Sequence, residues 1–169
     1  MIQRVDFTKV ELIIFDFDGV FTDNTVVIDQ NGIESVTCWR SDGLGLSRIK
    51  ELGIKIYIIS TETNPIVSAR AKKLQIPCVQ SVENKSTEVI QICNALNVSI
   101  CNTMFVGNDI NDIPAFKIVG LPIAVADAYP EVLKYVVFRT LKSGGKGAVR
   151  EICDRVYYSK THQLLENEL

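Results

Sequence analysis

The 169-residue sequence predicts an α/β fold: one parallel sheet sandwiched by helices, with a β-hairpin inserted after the first strand. Three observations carry this expectation. Short apolar, β-branched runs alternate with segments of helical period, the pattern of strand–helix–strand units. The leading run, Leu12 to Phe15, ends in Asp16-Phe17-Asp18-Gly19-Val20, a polar tip on an otherwise buried strand. The next segment is two β-rich runs, Thr25–Asp29 and Glu34–Trp39, around Gln30-Asn31-Gly32, and Asn-Gly between such runs is the strongest short hairpin signal. Loops are short throughout, so residues 1–158 are expected to form a single domain, followed by a polar tail over 159–169.

After the hairpin, Ser41 or Asp42 caps a helix to about Leu52, which Gly53 ends. Ile54–Ile59 is a second buried strand, stopping at Ser60-Thr61. Asn64-Pro65 reads as the cap and first turn of a helix to Leu74, and Pro77–Gln80 as a short strand. Lys85 falls in a polar loop, with Ser86–Leu96 helical. Met104–Val106 is a strand ending at Gly107-Asn108-Asp109-Ile110-Asn111-Asp112, and Pro114 opens a short helix. Leu121–Val125 and Val136–Phe138 are strands separated by a helical turn from Pro130. Ser143-Gly144-Gly145-Lys146-Gly147 is a loop before a helix over Ala148–Tyr157.

Composition excludes several classes. Hydrophobic residues make up 47 % of the chain, which marks a folded protein, and the net charge of -2 with dispersed Lys and Arg offers no basic stripe for nucleic acid or a membrane surface. No apolar run approaches the ~20 residues that span a bilayer. Met1 to Asp6 lacks the basic and apolar regions of a signal peptide, so a cytoplasmic location is expected. The five cysteines (Cys38, Cys78, Cys93, Cys101, Cys153) are scattered without C-x-x-C and read as small apolar residues in a reducing compartment.

The chemistry-bearing residues each follow a strand. Asp16 and Asp18, at i and i+2, share a face at the tip of the first. Ser60 or Thr61 follows the second, Lys85 lies past the third, and Asn108, Asp109 and Asp112 follow the fourth. In a parallel sheet these tips converge on the carboxyl edge, where ligands bind. An Asp-Gly tip is also an ordinary turn, but the whole set suits phosphoryl transfer. A carboxylate nucleophile approaching a phosphate needs a cation to offset repulsion, a lysine and a hydroxyl to hold the remaining oxygens, and a second carboxyl to move a proton.

These residues, Asp16-Phe17-Asp18-Gly19-Val20, Ser60, Lys85 and Gly107-Asn108-Asp109-Ile110-Asn111-Asp112, resemble the motifs of the haloacid dehalogenase (HAD) superfamily of phosphatases. The match runs from about Leu12 to about Asp154. It looks like the small capless branch, a Rossmann-like sheet without a cap domain, that holds 3-deoxy-D-manno-octulosonate 8-phosphate phosphatases and the phosphatase domains of acylneuraminate cytidylyltransferases. The hairpin, Arg70-Ala71 with Leu74, Ala124-Val125-Ala126-Asp127-Ala128 and Gly144-Gly145-Lys146-Gly147-Ala148-Val149-Arg150-Glu151 are branch features.

The resemblance implies Asp16 as nucleophile, Asp18 as general acid/base and donor of a backbone carbonyl to Mg²⁺, Ser60 as the phosphate-binding hydroxyl and Lys85 as the lysine of the third motif. Asn108 stands at the usual acidic metal ligand, a departure that removes a charge from the site, for which Asp109 or Asp112 compensates directly or through water. The octulosonate enzymes carry Gly-Arg after the second-motif hydroxyl; here Thr61-Glu62 follows Ser60, which resembles the nonulosonate 9-phosphate phosphatases. Glu62 accepts hydrogen bonds from sugar hydroxyls, and Arg70 and Lys73 are candidates for a substrate carboxylate or ordinary charges on a solvated helix face.

The expected protein is a Mg²⁺-dependent phosphatase of a sugar-acid phosphate, a homotetramer closed through the apolar face of the hairpin (Val26, Ile28, Val36, Cys38), with Trp39 at the interface. Two rivals stand beside it: a non-catalytic oligomerisation partner of a cytidylyltransferase, which Asn108 motivates, and a phospho-acceptor receiver domain, in which the hairpin is out of place. Gly144-Gly145-Lys146-Gly147 lacks the spacing of a Walker A loop and reads as a mobile loop or an anion-facing helix start. His162, the sole histidine, lies in the polar tail and is not expected in the site.

Overall fold

The computed structural model describes residues 5–162. Thirteen elements follow in order: β1 (Leu12–Phe15), β2 (Val27–Ile28), β3 (Glu34–Ser35), α1 (Asp42–Glu51), β4 (Lys55–Ile59), α2 (Ile66–Leu74), β5 (Cys78–Val79), α3 (Lys85–Leu96), β6 (Thr103–Gly107), α4 (Ile113–Phe116), β7 (Leu121–Ala124), β8 (Phe138–Arg139) and α5 (Ala148–Thr161). Six strands make one parallel sheet in the order β5-β4-β1-β6-β7-β8. β1 is central because every residue in it is fully buried, and it pairs Phe15 with Ile58 on one side and Val106 on the other. That register sets the tips of β1, β4 and β6 side by side. The chain builds outward from β1 to β4 and β5, then crosses back to β6, which opens a crevice at the carboxyl edge where the direction reverses. Right-handed crossovers put α1 and α2 on one face and α3 and α4 on the other; α5 packs along α1, and α3 meets α4.

The α/β architecture and the central position of the first strand match expectation. The hairpin is smaller than predicted. Its ladder pairs only Val27 with Ser35 and Ile28 with Glu34. Asp29 Oδ1 accepts the N–H groups of Asn31 and Ile33, so the turn spans residues 29–33, around the expected Gln30-Asn31-Gly32. Beyond Ser35 the chain leaves its partner and returns to the body, where Cys38 bridges Thr22. Val36 and Cys38 pack against the core, whereas Val26, Val27, Ile28 and Ile33 are exposed.

Lys85 is not in a loop. It is the first residue of α3, because Asn84 caps that helix one residue earlier than expected, its Oδ1 accepting from the backbone of Ser86 and Thr87. The loop of residues 143–147 is packed, not loose: Gly145 N–H donates to Val20 O at 3.0 Å and Gly144 N–H to Asp127 Oδ1 at 2.9 Å. α5 continues to Thr161, so residues 159–161 of the expected tail are helical, and 163–169 lie outside the described residues. His162 ends that helix, exposed. All five cysteines are free; Cys93 and Cys153 are buried, and Cys101 is exposed. Among the described residues no helix is long and apolar enough to cross a membrane.

Candidate active site

The strand tips gather Asp16, Asp18, Ser60, Asn108 and Asp109 around one cavity of about 150 Å³, with Asn24 at its rim. Asp16 follows β1 and stays in sheet geometry, its N–H donating to Val106 O at 2.9 Å. Phe17 points the other way, its ring stacked on Phe21 at 5.9 Å, and this anchors the turn that carries Asp18. Gly19 has φ +76°, a conformation that favours glycine, and a Cβ there would run into the Asn108 amide, so a side chain at this position would push Asn108 from its place.

Lys85 is the hidden floor of the site. Its Nζ donates to Asp16 Oδ1 at 2.7 Å and to Asp112 Oδ1 at 2.6 Å, with all three side chains buried. Burial by itself would lower the Lys85 pKa, but the charges of Asp16 and Asp112 outweigh it and raise the value, so the ammonium stays charged. Asp112 Oδ2 accepts the N–H groups of Asn108 (2.8 Å) and Asp109 (3.2 Å), which fixes the β6 tip. Burial, with the charge of Asp112 added, pushes Asp16 up to about 7 against the pull of Lys85. A cation in the cavity would relieve that penalty. Asp18 is half-buried; burial raises its pKa, the Glu62 charge raises it further, and the Thr22 hydroxyl opposes both.

The donors for a metal are unusual. Among the described residues no three His, Cys, Asp or Glu side chains form a metal-binding group. Asn108 Oδ1, however, is a buried oxygen with no hydrogen-bond partner, and Asn108 lines the cavity with Asp16 and Asp18. A buried amide oxygen is costly to leave unpaired. With a carboxylate of Asp16 and a carbonyl oxygen nearby, it fits a hard divalent cation that prefers oxygen. Asp109 spends Oδ1 on Ile110 N–H at 2.7 Å and lines the same cavity.

A second cavity, about 280 Å³, adjoins the first and shares Asp18 and Asn24 with it. Glu62 lines it, as does Glu34 of the hairpin, whose Oε2 accepts from Asn64 Nδ2 at 3.0 Å. Backbone N–H groups of Asn64 and Thr63 hold Glu62 Oε1 and lower its pKa, leaving Oε2 to meet a ligand. Ser60 is buried and accepts Glu62 N–H at 3.1 Å on Oγ.

The structure does not bring Arg70 or Lys73 to either cavity. Arg70 donates to the backbone oxygen of Trp39 at 3.0 Å at the root of the hairpin, and Lys73 is exposed on α2. Sequence reasoning missed the pairing of Asp112 with Lys85, because a contact between the start of α3 and the turn after β6 has no local signature. It also missed Glu34, whose hairpin strand looked merely amphipathic.

A buried ammonium bridging two carboxylates at the switch point of a parallel sheet, beside a cavity that a further carboxyl and a hydroxyl also line, suits phosphoryl transfer. Comparison with known proteins narrows this. Residues 63–152 match the family model of haloacid dehalogenase-like hydrolases. The 3-deoxy-D-manno-octulosonate 8-phosphate phosphatase of Escherichia coli K12 is 34 % identical over 147 residues, covering 86 % of this chain and 78 % of that protein. The Haemophilus influenzae enzyme of the same name is 33 % identical over 151 residues, covering 88 % and 83 %. A solved structure of the Moraxella catarrhalis enzyme, in complex with magnesium, phosphate and KDO, shares 28 % identity and a TM-score of 0.89, over 93 % of this chain and 91 % of that one. The chain belongs to the haloacid dehalogenase-like hydrolases, and within them it is a phosphatase.

Proposed function

We propose that the protein is a Mg²⁺-dependent phosphatase of a sugar-acid phosphate, either a nonulosonate 9-phosphate or 3-deoxy-D-manno-octulosonate 8-phosphate, working through an aspartyl-phosphate. The observation that carries this is the seating of Asp16 on Lys85 at the floor of one cavity while Asp18 stands between that cavity and the next. The smaller cavity suits a phosphoryl group and the larger a sugar. Similarity to octulosonate phosphatases supports the substrate class.

Asp16 attacks phosphorus, and the new O–P bond forms as the ester P–O bond breaks. The leaving oxygen keeps the electron pair and takes the proton of the Asp18 carboxyl. A water then attacks the acyl phosphate, Asp18 takes its proton, and Asp16 is released. Ser60 and Lys85 hold phosphoryl oxygens and the nucleophile in place. Asp16, the Asp18 backbone carbonyl and Asn108 Oδ1 would hold Mg²⁺, with Asp109 through water; the ion supplies neutralisation of charge between carboxylate and phosphate. Glu62 Oε2 accepts a sugar hydroxyl. Arg70 and Lys73 would meet a substrate carboxylate only across a subunit boundary, in a homotetramer joined at the hairpin.

Phosphate release is measured from both sugar phosphates with saturating Mg²⁺. The wild type releases phosphate from one of them, and Asp16→Asn loses at least about a thousandfold in kcat. The neutral Asn108 favours one other reading, an oligomerisation partner of a cytidylyltransferase without activity of its own. Copurification with that enzyme and no release from either sugar phosphate would establish it instead.

A further inference from the structure

Thr22 is fully buried at the end of the turn after β1 and lines neither cavity. Its Oγ1 accepts the backbone N–H of Gly19 at 3.1 Å and of Asn24 at 3.2 Å. A hydroxyl has two lone pairs and one hydrogen. Both lone pairs are occupied, so the hydroxyl can only donate, and its acceptor is Asp18 Oδ1 at 3.5 Å, a separation of the kind that tightens when substrate binds. The turn that holds Thr22 has little freedom. Phe21 N–H donates to Phe17 O at 2.9 Å within it. From outside, Gly145 holds Val20 O, and Gly144 sits so close that a Cβ on it would lie 1.9 Å from Gly19 O.

We propose that Thr22 is the positioning residue of the general acid: its hydroxyl hydrogen occupies Oδ1 of Asp18 and leaves Oδ2 as the oxygen that carries the proton to the leaving group. This rests on the phosphatase reading, with Asp18 as acid. As the ester P–O bond breaks and the Asp16 O–P bond forms, the Oδ2 proton passes to the leaving oxygen. Asp18 becomes a carboxylate that keeps the Thr22 hydrogen bond on Oδ1. Nothing else is consumed.

The test uses the dependence on leaving group. A sugar alkoxide leaves poorly without a proton, whereas 4-nitrophenolate leaves unaided. The probes are 4-nitrophenyl phosphate and whichever sugar phosphate the wild type hydrolyses, at saturating Mg²⁺. The ratio of the two kcat values on one preparation does not depend on the folded fraction. In Thr22→Val, and in Thr22→Ala should the valine not fold, the sugar-to-aryl ratio falls by about tenfold or more, and Thr22→Ser brings it back to within about threefold of wild type. Equal losses on the two substrates would make Thr22 merely structural and overturn the assignment. A ratio that falls in Asp18→Asn but not in Thr22→Val overturns the role of Thr22 alone. A ratio unchanged in both overturns the general-acid reading with it, and a wild type inert toward both substrates overturns the phosphatase reading.

Discussion

Asp42 shows how much one carboxyl can cost away from the catalytic cavity. It opens α1 with its side chain buried, and Oδ1 accepts the N–H of Arg150 in α5 at 3.1 Å, while Oδ2 has no partner. Burial pushes its pKa from 3.8 up to about 7, against the backbone hydrogen bond and the charges of Arg70 and Arg150. A folded-state pKa above the unfolded one means that the folded protein binds the extra proton. The contribution to stability is intact below about pH 3.8 and is lost as pH rises toward 7, after which it stays lost. Asp42→Asn keeps the acceptor for Arg150 and removes the charge. Its melting temperature should exceed wild type by on the order of 5 °C at pH 8 and match it near pH 4, read by calorimetry. At this same scale the sequence was informative where chemistry sat on a strand tip: Asp16, Asp18, Ser60, Asn108 and Asp109 lie around one cavity as expected. It was blind to Thr22 and to Asp112 as the partner of Lys85, because their partners are fixed by a turn and by a packing of distant segments.

Among the elements, the loop before α5 is the least ordinary. Sequence alone offered a mobile loop or an anion-facing helix start. The mobile loop does not fit the packing, since the segment is wedged against the turn of Gly19 to Asp23 and its Lys146 lies 3.7 Å from Asp23. Gly144→Ala forces a Cβ onto a backbone carbonyl, which cannot swing aside as a side chain would. We expect a loss of about 2 kcal/mol or more, seen as a lower urea midpoint with unchanged slope. The inner strands, and the helices other than α5, were legible to within a residue or two, because apolar period and cap residues agree there, whereas α5 runs to Thr161, past the expected end at Tyr157. The hairpin was overestimated, since β-branched residues such as Val26 and Val36 suggested a ladder that Asp29 and the return to Thr22 cut short.

For the molecule as a whole, the unresolved tension is the hairpin. Val26, Val27, Ile28 and Ile33 are exposed together on a two-stranded ribbon too short to be stable by itself. The proposed tetramer would cover them and would supply closure over the cavity. Light scattering should give the mass of a tetramer, and Val27→Glu with Ile28→Glu should give smaller species with reduced turnover of the sugar phosphate. A wild type that stays monomeric would reject the assembly. The sheet was legible from the alternation of strands and helices, whereas the assembly rests on family resemblance.

The place of β1 has a consequence for how the protein is made. Leu12 emerges before its neighbours in the sheet, Lys55 and Thr103, which follow much later. Until β6 leaves the ribosome, β1 has one bare edge, the sort of edge that invites pairing with other chains. Contacts between such distant segments also slow folding. The nascent chain therefore carries one edge of β1 bare until β6 has emerged, and chaperone demand should peak there, before Asp112 joins Lys85 beside Asp16.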